Sequence, residues 1–173
     1  MKLSPTAQKF ILHWGEMGTR WGVNRTVAQI HALLYLSPQP MNAEEIVETL
    51  AVARSNVSNS LHELRSYELI KVVHVMGDRR DHFEAVHDVW DIFTRIAEQR
   101  KKREIDPTLH LLRECVEEAK NDKQLPEASR QRIGNMLDFV ETTSEWYSHV
   151  IGLKRELVLK LMKLGSKIVN FVK

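Results

Sequence analysis

Residues 42–85 constrain the fold more than any other stretch, because the apolar period changes within a short span of chain. "NAEEIVETLA" opens on Asn42, a helix-capping residue, with Glu44 and Glu45 in the first turn, where carboxylates suit the helix dipole. Ile46, Val47 and Leu50 form its apolar stripe. The link "VAR" leads to "SNVSNSLHELRSY", in which Val57, Leu61 and Leu64 recur at i, i+4 and i+7 and define one buried face. "LIKVVHVM" and "HFEAV" then read as two strands around the turn "GDRRD". A short amphipathic helix, a tight link, a polar-faced helix and a hairpin, in that order, leave few ways to pack.

Upstream, Ser4-Pro5 has the form of an N-cap followed by proline at the first helical position. Phe10, Ile11, Trp14 and Met17 recur at helical spacing as far as Gly18. A second helix, from about Thr26 to Tyr35, is apolar on most sides and is ended by "SPQP". Helix, helix, helix, helix and hairpin make a winged helix-turn-helix. From His87 onward the pattern is helical throughout. Trp90, Phe93 and Ile96 form the apolar face of "DVWDIFTRIAEQRKKREI". Asp106-Pro107 restarts the chain as a helix carrying Leu109, Leu112, Val116 and Ala119 in line, and "NDKQLPEAS" is a loop. One or two long helices follow from Arg130, with a stripe that runs through Leu157, Leu161, Leu164, Ile168 and Phe171. The expected fold class is mainly α, a winged helix-turn-helix with a small β-hairpin wing plus a long-helix dimerisation region. The expected domains are 1–88, which binds DNA, and 89–173, which dimerises and would also hold any effector.

With 173 residues, 43% of them hydrophobic and 28% charged, the chain is expected to be a soluble protein with a packed core. No run approaches the roughly 20 apolar residues of a membrane span, and the N-terminus does not read as a signal peptide. The single cysteine, Cys115, cannot form an intramolecular disulfide, which suits a reducing cytoplasm. A net charge of +2 means that a nucleic-acid partner would be met by local concentrations of positive charge.

One such concentration lies on the helix 55–67 and the turn beyond it. With Val57, Leu61 and Leu64 facing the core, a turn of about 100° per residue points Ser55, Asn59, His62 and Ser66 outward, with Asn56, Ser58, Glu63 and Arg65 on the flanks. Serine, asparagine, histidine and arginine reach base edges and phosphates in a major groove. Ser55, Asn56, Ser58, Asn59 and His62 are therefore expected to read bases or settle on phosphates, with Arg54 and Arg65 on the backbone. At the hairpin tip Arg79 and Arg80 stand side by side, and a wing beside a recognition helix runs along the minor groove, whose negative potential attracts arginine. Asp78 and Asp81 bracket the pair and are placed to hold the guanidinium groups by bidentate pairing.

"MNAEEIVETLAVARSNVSNSLHELRSYELIKVVHVMGDRRDHFEA", together with "GVNRTVAQIHALLYLSPQP" upstream, resembles the winged helix of the GbsR-type branch of the MarR regulators. The resemblance covers roughly the first half of the chain. Asp78 and Arg80 stand where that family has the Asp-x-Arg of its wing. The resemblance implies a homodimeric bacterial transcription factor; several branches respond to small ligands, and this branch includes regulators of osmoprotectant genes. One departure is Tyr67-Glu68, where the family leads one to expect an aromatic residue and then a glycine, and a glutamate has no cheap left-handed cap.

The terminal helices are expected to make the dimer, since a lone chain would expose their apolar stripes, and a two-fold pair would set two recognition helices ~34 Å apart. Lys154, Lys160, Lys163 and Lys167 interleaved with leucines also suit a membrane surface, but a dimer helix with its lysines in water is the simpler reading. Trp14, Trp21, Trp90, Trp146 and Tyr147 are weighed as a cage for a quaternary ammonium ligand, against an ordinary role in the core. No catalytic set, metal site or cofactor motif is present in the sequence, and Cys115 among acidic residues is not an activated thiol. The expected function is a sequence-specific, DNA-binding transcriptional regulator, a repressor, acting as a homodimer on a pseudo-palindromic operator. The alternative is a winged-helix module that binds protein partners without binding DNA.

Overall fold

A computed structural model describes residues 3–171, with side chains as far as Leu164. The side chains of Lys167, Ile168 and Phe171 lie outside the described residues. The chain divides into two compact units, Met1–Ile96 and Ala97–Lys173.

In the first unit, α1 (Pro5–Arg20) starts where Ser4 Oγ accepts from the Ala7 amide at 3.2 Å, and it runs two residues past the glycine at 18. Gly18 is buried instead of terminal: a Cβ there would lie 2.5 Å from the Ala28 Cβ of α2 (Arg25–Leu36). The absent side chain lets α1 and α2 approach closely. Strand β1 (Met41–Asn42) precedes α3 (Ala43–Leu50), whose N-terminus closes a capping box: Asn42 Oδ1 accepts from the Glu45 amide at 3.0 Å and Glu45 Oε2 from the Asn42 amide at 2.8 Å. Helix α4 (Arg54–Ser66) follows, then β2 (Ile70–Val73) and β3 (His82–Ala85).

The sheet is antiparallel, in the order β1-β3-β2, with Asn42 and Val73 on either side of His82. Two features differ from the sequence reading. Met41–Asn42 supplies a third strand, paired only because the chain before α3 passes the edge of β3. The strands of the hairpin are also shorter, since Val75 and Met76 are exposed and have no facing strand. Ile30, Leu33, Leu34, Ile46, Val57 and Leu64 form the centre of the core, each no more than 2% exposed.

Helix α5 (Val89–Arg100) begins on Asp88, whose Oδ1 accepts from the amides of Trp90 and Asp91 at 2.8 and 3.1 Å. Its buried positions are Ile92 and Ala97; Phe93, expected on the apolar face, is 55% exposed. In the second unit the expected restart at Asp106-Pro107 is not a break. Lys101–Ile105 form a π-helical turn in which the Asp106 amide donates five residues back to the Lys101 carbonyl. Pro107 has no amide hydrogen and its ring crowds the preceding turn, which a widened helix accommodates. Helix α6 (Asp106–Ala119) packs on α7 (Glu127–Ile151) with Leu109 and Ala119 buried, and Arg113 Nε donates to Glu141 at 2.7 Å. In α8 (Arg155–Phe171) Val158 is buried, whereas Leu157, Leu161 and Leu164 of the expected stripe are exposed. No helix among the described residues is long and apolar enough to cross a membrane.

Candidate nucleic-acid interface

The spacing of Val57, Leu61 and Leu64 sets the orientation of α4. All three are at most 4% exposed, and Ser60 is buried beside them. The other face carries Arg54, Ser55, Asn56, Ser58, Asn59, His62 and Arg65, all of them open to solvent. Ser66 is the exception to the sequence reading: it is half-buried and its hydroxyl donates to the Glu63 carbonyl at 2.7 Å, so it serves its own helix. At the other end Ala53 gives α4 no side-chain cap, and Arg54 pairs with Glu44 from the first turn of α3. That hydrogen bond holds the Glu44 carboxyl below its ordinary range.

The wing is the loop between β2 and β3. Gly77, at φ +84, allows the turn that the Asp78 amide closes onto the Val75 carbonyl at 3.1 Å. Asp78 then folds over Arg80. Its Oδ1 accepts from the Arg80 amide at 3.0 Å and from Arg80 Nε at 2.9 Å, and its Oδ2 accepts from Nε at 3.0 Å and from Nη2. The fork, with the backbone bond, drives the Asp78 carboxyl well below the usual carboxylate range and raises the Arg80 guanidinium. Asp81, expected to hold a guanidinium in the same way, is exposed and forms no ion pair among the described residues, and neither does Arg79. One turn gathers Asp78 and Arg80, whereas Asp81 leads into the paired strand.

Between α4 and the wing lies a concavity of about 460 Å³, with Glu44, Arg54, Ser58, His62, Arg65 and Arg80 in its wall. Ser55, Asn56, Asn59 and Arg79 stay exposed outside that lining. The surface offers hydroxyl, amide and imidazole groups from a rigid helix beside an arginine held in a fixed orientation. Sequence reasoning assigned Glu44 to the helix dipole alone; the structure puts its carboxylate in the groove, as partner to Arg54. Only the turn between α3 and α4 brings together residues ten apart in the chain.

A second cavity, apolar and of about 230 Å³, has Phe10, Trp14, His31, Tyr35, Val89 and Ile92 in its wall. Phe10 and Trp14 stack at 5.5 Å, and His31 and Tyr35 are tilted at 6.5 Å. His31 is 5% exposed and its Nε2 has no hydrogen-bond partner among the described residues; burial lowers it to about 4, so the ring is neutral at pH 7. Of the residues weighed as an aromatic cage, Trp14 lines this cavity. Trp21 and Trp146 are 63% and 65% exposed, and Tyr147 belongs to a cavity of the second unit with Phe139 and Val140. Among the described residues no three histidine, cysteine or carboxylate side chains cluster to hold a metal ion.

These features define a winged-helix fold, mainly helical with a small three-stranded antiparallel sheet. A solved structure described as the crystal structure of a transcriptional regulator is similar to it, with a TM-score of 0.67 and 18% identity over 86% of this chain and 97% of that one. At that identity the likeness is one of fold. No family model matches the chain, and no curated protein matches it in sequence.

Proposed function

We propose that this protein is a sequence-specific DNA-binding transcriptional regulator, a repressor of the GbsR-type branch of the MarR regulators. It would act as a homodimer on a pseudo-palindromic operator in the bacterial cytoplasm. One observation carries the reading: the polar face of α4 and the forked Arg80 border the same concavity and are open to solvent. Ser55, Asn56, Ser58, Asn59 and His62 would meet base edges or phosphates, Arg54 and Arg65 the backbone, and Arg79 and Arg80 the minor groove beside it. The similar solved structure, that of a transcriptional regulator, supports the same class.

A second copy of the chain would cover the apolar side chains that one copy leaves exposed, among them Phe139, Trp146, Leu161 and Met162. The cavity beside His31 is where a small-molecule effector would sit; its wall holds no charged side chain at pH 7, which favours an uncharged, largely apolar molecule.

The deciding experiment is selection of bound duplexes from genomic fragments at low salt. Retained fragments should share paired half-sites about one helical turn apart. Retention of no duplex would overturn the reading and favour a module that binds protein partners. That alternative draws on the pairing of Arg54 with Glu44 and of Arg80 with Asp78, which tempers the positive charge of the groove.

A further inference from the structure

We propose that His82 is a positioning residue of the wing, acting on Arg80 through Asp78, and that its protonation tightens the wing's hold on a nucleic-acid backbone. The second half of the proposal rests on the DNA-binding reading; the first does not.

His82 begins the central strand, paired with Asn42 on one side and Val73 on the other, and is only 6% exposed. Its Nδ1 lies 3.0 Å from the Arg80 carbonyl oxygen, and its Nε2 lies 3.6 Å from Asp78 Oδ2. Both neighbours are acceptors only. A neutral imidazole has one N–H, so it satisfies one of these oxygens and turns a lone pair towards the other. The imidazolium has two donors and suits both. Asp78 Oδ2 is also the oxygen that accepts from Arg80 Nε at 3.0 Å. Ring, carboxylate and guanidinium therefore form one chain, closed through the Arg80 carbonyl.

The other charges around this chain come from several elements. Asp81 adjoins His82 in sequence, and Glu44 and Glu45 on α3 act on Arg80. Arg54 and Arg65 on α4 share the concavity with Arg80, and Lys71 on β2 pairs with Glu84 on β3 at 3.0 Å. Arg54 and Lys71 are each matched by a carboxylate, and Asp78, 3.6 Å from Nε2, is the carboxylate that meets the ring. Protonation would hold Asp78 from its second side and add a positive charge where Asp78 otherwise offsets Arg80.

The test measures affinity for a selected DNA duplex at constant ionic strength from about pH 8 to about pH 5.5. Wild-type affinity should rise about threefold more than that of His82→Gln, which can donate but cannot charge. His13→Gln, at an exposed histidine of α1 outside the concavity, should keep the wild-type rise, and in an Asp78→Asn background His82→Gln should make no difference. Identical profiles for wild type and His82→Gln would overturn the proposal. If no duplex binds at any pH, the DNA reading fails, and histidine ring-proton NMR of the free protein then decides the positioning role. A His82 ring-proton resonance that moves in Asp78→Asn at fixed pH supports the contact; an unmoved resonance overturns it.

Discussion

Arg95 on α5 donates from Nη1 to the backbone carbonyl oxygen of Glu68 at 2.7 Å, and the same nitrogen lies 3.5 Å from the Glu68 carboxylate. Glu68 stands at φ +56, the left-handed conformation expected of a glycine after the recognition helix. The helix end is otherwise regular: the Leu69 amide donates to the Leu64 carbonyl at 3.0 Å and the Glu68 amide to the Arg65 carbonyl at 2.9 Å. That is the Schellman pairing, with Leu69 and Leu64 both buried. A non-glycine residue is thus held at the glycine position by the hydrogen bonds around it.

Replacing Glu68 with glycine should stabilise the protein by about 1 kcal/mol, because the left-handed conformation crowds a Cβ. The substitution also removes the ion pair between the Glu68 carboxylate and Arg95, which is solvent-exposed and contributes little. Urea unfolding measures the difference. A clear drop in stability would mean that the Arg95–Glu68 ion pair outweighs the backbone strain.

Gly18 and Gly15 should respond differently to alanine. A Cβ at Gly18 meets the Ala28 Cβ at 2.5 Å, which neither helix can yield without moving apart, so Gly18→Ala should cost about 1–3 kcal/mol. A Cβ at Gly15 meets the flexible Gln29 side chain, at 2.7 Å from Cγ, and alanine is the better helix former. Gly15→Ala should be near neutral. Thermal melts of the two variants side by side would show the contrast; equal destabilisation would contradict it.

His31 should make the protein sensitive to acid. Burial lowers the folded-state value to about 4 from an ordinary 6.5, so the unfolded chain binds the proton first. This contribution to stability is complete above the ordinary histidine range and is lost as pH falls towards 4. The full effect is of order 3 kcal/mol. Denaturant unfolding at successive pH values should show the decline, and His31→Leu should remove that part of it. An unchanged decline in the variant would assign the sensitivity to other groups.

The wing should separate charge from orientation. Arg80→Ala should weaken duplex binding and lower the slope of log affinity against log salt by about 0.9, the share of one phosphate contact. Asp78→Ala removes the fork, and with it the charge that offsets Arg80, but keeps the guanidinium, so the slope should not drop as it does for Arg80→Ala. Fluorescence titrations across a salt series provide both numbers, and an unchanged slope for Arg80→Ala would remove the wing from the interface.

Much of this was legible in the chain alone, and the legible parts share a property. The exposed face of α4 follows from Val57, Leu61 and Leu64 by helical periodicity. The Asn42–Glu45 box and the Asp78–Arg80 fork join residues within one turn of each other. Local dihedral preference and side-chain reach settle such contacts wherever the segment packs. Glu44 with Arg54, Arg95 with Glu68, β1 against β3, and the partnerless Nε2 of His31 arise between segments far apart in sequence, or from burial beneath them. The burial of Ile92 in α5 while the neighbouring Phe93 stays exposed is of the same kind. Period-based reading names the apolar candidates on a helix, but which of them loses water depends on what docks there. The sequence by itself determined the helices of the first unit, the outward face of α4 and the turn of the wing. Only tertiary packing decided which charges are paired, which polar atom goes without a partner and where the cavities lie, because those outcomes depend on desolvation by distant segments.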